Sequence, residues 1–343
     1  MAPYEKAEEE FNVESAAAIL RDIVNIRAAP LLLETALIVI FTIQTTLFVY
    51  HRWSVSEGKQ QIAPHRRRRL NVTLTLSISM YFLALVYWLL DIIIAREELL
   101  AYLPARLSQT HDESAYSTLD KMLGVHWYVQ TVLQILIWTS SDAVVLWRAY
   151  AVLGRPRWLR ITIVILFLLE IGVYMDYLVF YLYVLPHPPP FIQSIREMTG
   201  SRYIITAPYL AAASSTLITQ VFATALIAYK AWRVWKSRKG LFQGPGRVFR
   251  ALAVLIESGV AYTLLWIWYT IATNDGILGP IVTGWTDYYL MPLTAMYPTL
   301  VVMIVTLQDS VLANVEGSPS ASTTPFHAAE RTEDQSADDT KGA

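Results

Sequence analysis

HRRRRLNVTLTLSISMYFLALVYWLLDIIIA, residues 65–95, sets a basic run directly against an apolar stretch. From Asn71 to Ala95 the only charged residue is Asp91. A bilayer core about 30 Å thick takes roughly 20 apolar residues of helix to cross. Inside it, every backbone N–H and C=O must find a partner within the protein, which a helix provides from its own turns. The stretch therefore reads as a membrane-spanning helix, with the arginines before it holding that end in the cytosol.

Working outward from this span, seven stretches meet the same test: about 29–50, 71–95, 123–147, 161–185, 203–229, 251–273 and 287–308. The whole chain of 343 residues is 55% hydrophobic and 16% charged, against about 25% charged in an ordinary soluble protein. The expected fold class is an all-α integral membrane protein, a seven-helix transmembrane bundle over 29–308 whose first partner is the lipid bilayer. The loops 51–70, 148–160 and 230–250 carry 6, 4 and 7 Lys and Arg, whereas the N-terminal segment and the alternate loops carry 3, 3, 2 and 0. Basic short loops stay inside, so the expected topology is N-terminus outside and C-terminus cytosolic, with the plasma membrane as the location.

The ends follow from composition. MAPYEKAEEE is acidic where a cleavable signal is basic. Residues 1–28 are expected to form an extracellular segment, and FNVESAAAILRDIVNIR (11–27) has the spacing of an amphipathic helix; a poorly ordered tail is the equal alternative. Residues 309–343, rich in Ser, Thr, Asp and Glu, are expected to be a disordered cytosolic tail. LPHPPPF (185–191) implies a stiff, extended course after the fourth span. With no cysteine, disulfides and thiolate metal sites are excluded.

Inside the spans the chemistry is acidic. Glu34, Asp91, Asp142, Glu170, Asp176 and Glu257 fall within them, and an acid at a helix centre costs about 2.5–3.5 kcal/mol on insertion. Glu34 and Asp91 sit near the outer ends, where headgroups or water are in reach. At 1.5 Å per residue, Asp142 lies roughly 9 Å above the boundary marked by Arg148, and Glu257 roughly 10 Å beyond Arg250. This equal depth suggests a polar switch site of Asp142, Arg148 and Glu257 with Ser141 and Ser258. Asp142 and Arg148 point about 120° apart on one helix, so Arg148 is expected to reach Glu257 and latch the third and sixth spans. Glu170 and Asp176 are candidate proton or cation stations. The alternative is a hydrogen-bonded seam without further role. Trp266, Trp268 and Tyr269 are the candidate pocket wall, with an interfacial aromatic belt as the competing reading.

Other chemistries lack their residues. The seventh span, DYYLMPLTAMYPTLVVMIVTLQ, has no lysine for a retinal Schiff base. The six histidines show no HxxxH spacing, and no G-x-S-x-G nucleophile or GxGD acid pair occurs. No catalytic residue, metal or cofactor is expected, no nucleic-acid partner, and no enzymatic activity.

SDAVVLWRAYAVLG (141–154), LIESGVAYTLLW (255–266) and YPTLVVMIV (297–305) carry a family likeness, joined by APLLLETALIVIFTIQTTLFVY (29–50). They resemble the large group of seven-transmembrane proteins of mushroom-forming basidiomycete fungi. The resemblance implies a fungal membrane protein, receptor-like in helix count, with no ligand or activity attached. Trp147-Arg148-Ala149-Tyr150 departs from the acid-Arg-Tyr pattern of G-protein-coupled receptors, and Tyr297-Pro298 from their N-P-x-x-Y. Three functions stand. The first is a receptor-like sensor of a small or lipophilic ligand, with a cytosolic signalling partner at 230–250. The second is a proton- or cation-coupled transporter or channel using the intramembrane acids, and the third a structural membrane protein.

Overall fold

The computed structural model describes Arg21 and residues 24–58, 64–102, 113–199, 203–238, 247–273 and 278–316. Among these residues the chain is all-helical, without a strand. Seven long helices follow in order: α1 (Ala29–Gly58), α2 (Pro64–Glu97), α3 (Glu113–Val152), α4 (Arg157–Tyr181), α5 (Tyr203–Arg238), α6 (Arg247–Ala272) and α7 (Pro280–Glu316). The chain divides into two compact units, Met1–Val305 and Thr306–Ala343. The packing described below belongs to the first. Helices α1 to α6 are each long and apolar enough to cross a membrane. Helix α7 interleaves its apolar residues with Tyr288, Tyr289, Pro292, Thr294, Tyr297, Pro298 and Thr299.

The helices turn apolar side chains outward as well as inward. Leu32, Ile43, Phe82, Ile165, Leu168, Ile218 and Leu264 are all more than 40% exposed, an arrangement that fits a lipid surround and not water. Only 17% of the span in α4 is buried, against 56% of that in α3, so α4 lies at the rim and α3 at the centre. The core around α3 takes Phe41 from α1, Met80 from α2, Trp138 from α3, Tyr174 from α4, Trp266 and Tyr269 from α6, and Leu290 and Met291 from α7. A second cluster, built on Val145, Ala149, Ala223, Ile227, Leu252 and Val301, fills the end that carries Arg148.

Local chemistry sets the turns and the close approaches. Between α3 and α4 the chain reverses through Gly154 and Arg155, both at positive φ (84° and 62°). Glycine takes that conformation without a Cβ penalty, and Pro156 then starts α4. On α3, a Cβ at Gly124 would lie 2.2 Å from the backbone oxygen of Val184; the missing side chain lets the turn after α4 press onto α3. Gly259 of α6 does the same against Thr224 of α5.

Several expectations are amended. The prolines at 185–191 end in a helix, Pro190–Thr199, in addition to an extended course, because Pro190 takes the first helical position, where a missing N–H costs nothing. Its Ile192 is buried. Helix α7 runs on to Glu316, so 309–316 are helical and not a disordered tail; 317–343 lie outside the described residues. Of the expected amphipathic helix at 11–27, only Arg21 and the π-helical Val24–Ala28 are described. Helix α3 starts at Glu113, well before the span expected from 123.

Candidate functional site

A cavity of about 430 Å³ opens into the bundle at the end that carries Arg27. Its wall is assembled from residues at helical spacing on several helices. Helix α2 contributes Tyr87 and Asp91, α3 contributes Trp127, Gln130 and Gln134, and α4 contributes Tyr177 and Tyr181. Tyr209 comes from α5, and Thr283, Asp287 and Tyr288 from α7. On α2, α3 and α4 the set recurs at three or four residues, which places it on one face of its helix.

Two acids point their chemistry at this space. Asp91 Oδ1 accepts a hydrogen bond from Gln130 Nε2 at 2.8 Å, and the wholly buried Glu34 carboxyl stands beside it. Asp287 Oδ1 accepts from the hydroxyls of Tyr269 at 3.0 Å and Tyr209 at 3.2 Å. Those two hydroxyls also bond each other, and Gln134 Nε2 reaches Tyr269 Oη at 3.4 Å. Arg27 crosses the rim: Nη2 donates to Glu98 at 2.9 Å and Nη1 to Tyr288 Oη at 3.0 Å. Trp285 Nε1, bonded to Asn25 O at 2.7 Å, ties the same short segment to α7.

Behind the lining residues Gln134, Tyr209 and Asp287, all of which bond Tyr269, packs an aromatic cluster. Trp138, Trp266 and Tyr269 are fully buried and meet edge to face, with ring centroids 5.3 to 6.0 Å apart, the geometry favoured by ring quadrupoles. Trp138 also touches the ring of Tyr174 at 6.0 Å, and so joins this cluster to a second polar layer.

That layer holds Asp142. Gln220 Nε2 donates to its Oδ1 at 2.6 Å and Tyr174 Oη to its Oδ2 at 2.9 Å. Tyr174 Oη lies 3.3 Å from Glu170 Oε1 and also bonds Thr216. A phenol has one proton to give, and here two carboxyl oxygens take it. The pair is satisfied when one carboxyl carries a proton of its own, since two adjacent buried carboxylates repel.

Nearer the other end, Arg148 Nη2 donates to Tyr297 Oη at 3.1 Å, and its guanidinium sits 5.2 Å from the centre of that ring. Tyr297 stacks on Tyr262 at 3.9 Å, and Tyr262 Oη bonds Ser141 Oγ at 3.0 Å.

The sequence-derived site is therefore divided. Arg148 turns to α7 and is not latched to Glu257. Glu257 is exposed and lines a shallow groove with Trp232 and Trp235, while Ser258 Oγ bonds Leu255 O of its own helix at 3.2 Å. The reason is azimuth. Leu252, Leu255, Gly259, Tyr262, Trp266 and Tyr269 form the inward stripe of α6, and Glu257, two residues from two of its members, faces away. Equal depth did not bring the two acids together. Glu170 joins Asp142, whereas Asp176 is exposed on the outer face of α4. Glu34 and Asp91 are buried inside the bundle and do not reach out to headgroups. Of the expected pocket wall, Trp266 and Tyr269 do not line the cavity but are buried behind it. Trp268 is 46% exposed and donates to Tyr289 Oη at 2.6 Å.

The sequence reading passed over Asp287, Arg27, Tyr209, Gln220 and Tyr174. Only Tyr174 had a local signal, at four residues from Glu170. No group of three metal-ligating side chains occurs among the described residues. The partner surface expected at 230–250 lies partly outside them, at 239–246. No protein family, curated protein or solved structure matches the chain.

Proposed function

We propose that the chain is a seven-helix membrane protein of the receptor-like kind that its third, sixth and seventh spans resemble in mushroom-forming fungi, and that it senses a small ligand held in the cavity at its Arg27 end. In this reading α7 is the seventh span. It turns Leu290, Met291 and Ala295 into the core that the other spans share. The Lys and Arg distribution supports an extracellular mouth and a cytosolic C-terminus in the plasma membrane, with the basic 230–250 segment as the surface for a cytosolic partner. No catalytic step belongs to this function.

The observation that carries the proposal is the packing behind the cavity. Tyr269, bonded to the lining residues Gln134, Tyr209 and Asp287, meets the fully buried Trp138 and Trp266, and Trp138 passes contact on to Tyr174 and its carboxyl pair. A cavity backed by a packed relay suits recognition better than passage. The buried acids favour transport as the second reading, so flux decides between the two. In vesicles with a trapped pH-sensitive dye, the reconstituted protein should admit protons or K⁺ no faster than protein-free vesicles. A flux that Asp142→Asn or Glu170→Gln abolishes would replace the sensor by a transporter.

A further inference from the structure

The lining of the cavity carries an acid excess. Asp91 and Asp287 line it, with Glu34 behind Asp91 and Glu98 at the rim. Among the described residues the one Lys or Arg in the lining is Arg27, whose guanidinium is already engaged by Glu98 and Tyr288. Among these residues an anion entering the space would face carboxyl groups without a free cation to receive it. The remaining wall is aromatic. Tyr177 meets Tyr209 at 5.4 Å and Tyr181 at 5.7 Å, tilted by 50° and 58°. These rings are inclined and not stacked face to face, and Tyr87, Trp127 and Tyr288 line the space with them.

Acids set among aromatic faces attract a particular chemistry. The ring quadrupole and the carboxylate both favour positive charge, and aromatic cages are a recurring means of binding quaternary ammonium groups. Both hydrogen bonds to Asp287 fall on Oδ1, from hydroxyls that fix the carboxylate in place at the base of the cavity. We infer that the ligand class of this cavity is a small organic cation, an amine or quaternary ammonium compound of about choline's size or somewhat larger, with Asp287 as its counter-ion and the tyrosine wall as its cage. The inference rests on the reading of the cavity as the sensing site and adds its chemistry.

The test uses the full chain in detergent, with choline and its uncharged isostere 3,3-dimethylbutan-1-ol as probes. The signal is intrinsic tryptophan fluorescence together with the thermal midpoint. Choline should give a saturable change, and the neutral alcohol should need at least about tenfold more. Asp287→Asn keeps an acceptor for Tyr209 and Tyr269 but removes the charge, and should weaken choline about tenfold or more with the unliganded midpoint little changed. Should Asp287→Asn fail to fold, Tyr181→Phe and Tyr181→Leu provide the second test: the first keeps choline binding and the second weakens it severalfold. Equal saturation by choline and the alcohol, or choline binding indifferent to both positions, overturns the cation while leaving the sensing cavity in place. No saturable change with choline or benzyltrimethylammonium also overturns it. The sensor reading stands or falls separately, on the vesicle flux.

Discussion

Tyr174 shows how much one side chain holds. Its hydroxyl serves Asp142, Glu170 and Thr216 at once, and its ring rests on Trp138. Removing it leaves carboxyl oxygens short of a donor inside the bundle, which costs about 1–3 kcal/mol per buried group. Single polar contacts between membrane helices average only about 0.6 kcal/mol. Tyr174→Phe should therefore lie above that average, at about 1–2 kcal/mol, seen as a lowered thermal midpoint in detergent. Tyr289→Phe, whose hydroxyl accepts from the exposed Trp268, should cost less than about 0.5 kcal/mol; equal effects would refute the central place given to Tyr174. At this scale the sequence is half legible. An acid among apolar residues announces itself, so Asp142 and Glu170 were found. Their partners were not, because Tyr174, Thr216 and Gln220 are unremarkable residue types whose meaning depends on which helix faces which.

At the scale of elements, existence was legible and orientation was not. Length and the scarcity of charge mark every long helix, since the bilayer imposes both. Azimuth needs the finer pattern, and on α6 it was present: the 252, 255, 259, 262, 266, 269 stripe puts Glu257 on the opposite face. Reading depth before face produced the latch that the structure does not contain. Glycines give this scale its test. At Gly172 of α4 nothing lies within 4 Å of an added Cβ, so Gly172→Ala should gain the helix propensity of about 0.5–1 kcal/mol. At Gly124 the same gain is outweighed, because the Cβ would meet a backbone carbonyl at 2.2 Å. Overpacking of that kind costs about 1–3 kcal/mol. Gly124→Ala should lower the midpoint and Gly172→Ala raise it; matching shifts at the two sites would show that the turn at Val184 does not press on α3.

For the whole molecule, orientation rests on the charge of its loops. The cysteine-free chain makes a direct check possible, because a single introduced thiol is the only one present. An impermeant maleimide applied to intact cells should label Ser194→Cys, on the exposed face of the Pro190–Thr199 helix, and spare Lys236→Cys at the end of α5. The reverse pattern would invert the topology and put the cavity mouth in the cytosol. The cavity itself was illegible in the sequence for a reason of the same scale. Its wall draws residues from five helices and the segment before α1, spread from Arg27 to Tyr288, so no window of sequence contains it.

Helix α3 carries one further consequence. Gln130, Gln134, Trp138 and Asp142 recur every four residues, and each step winds about 40° past a full turn. The row thus leaves the cavity facing Asp91 on α2 and Tyr269 on α6, and arrives about 120° further round, where Asp142 faces Tyr174 on α4 and Gln220 on α5. The side chains stand on α3 like lobes along a camshaft. A rigid turn of the shaft that shifts Gln134 at the cavity carries Asp142 past its partners by the same angle, so what joins the two levels is torque about one axis.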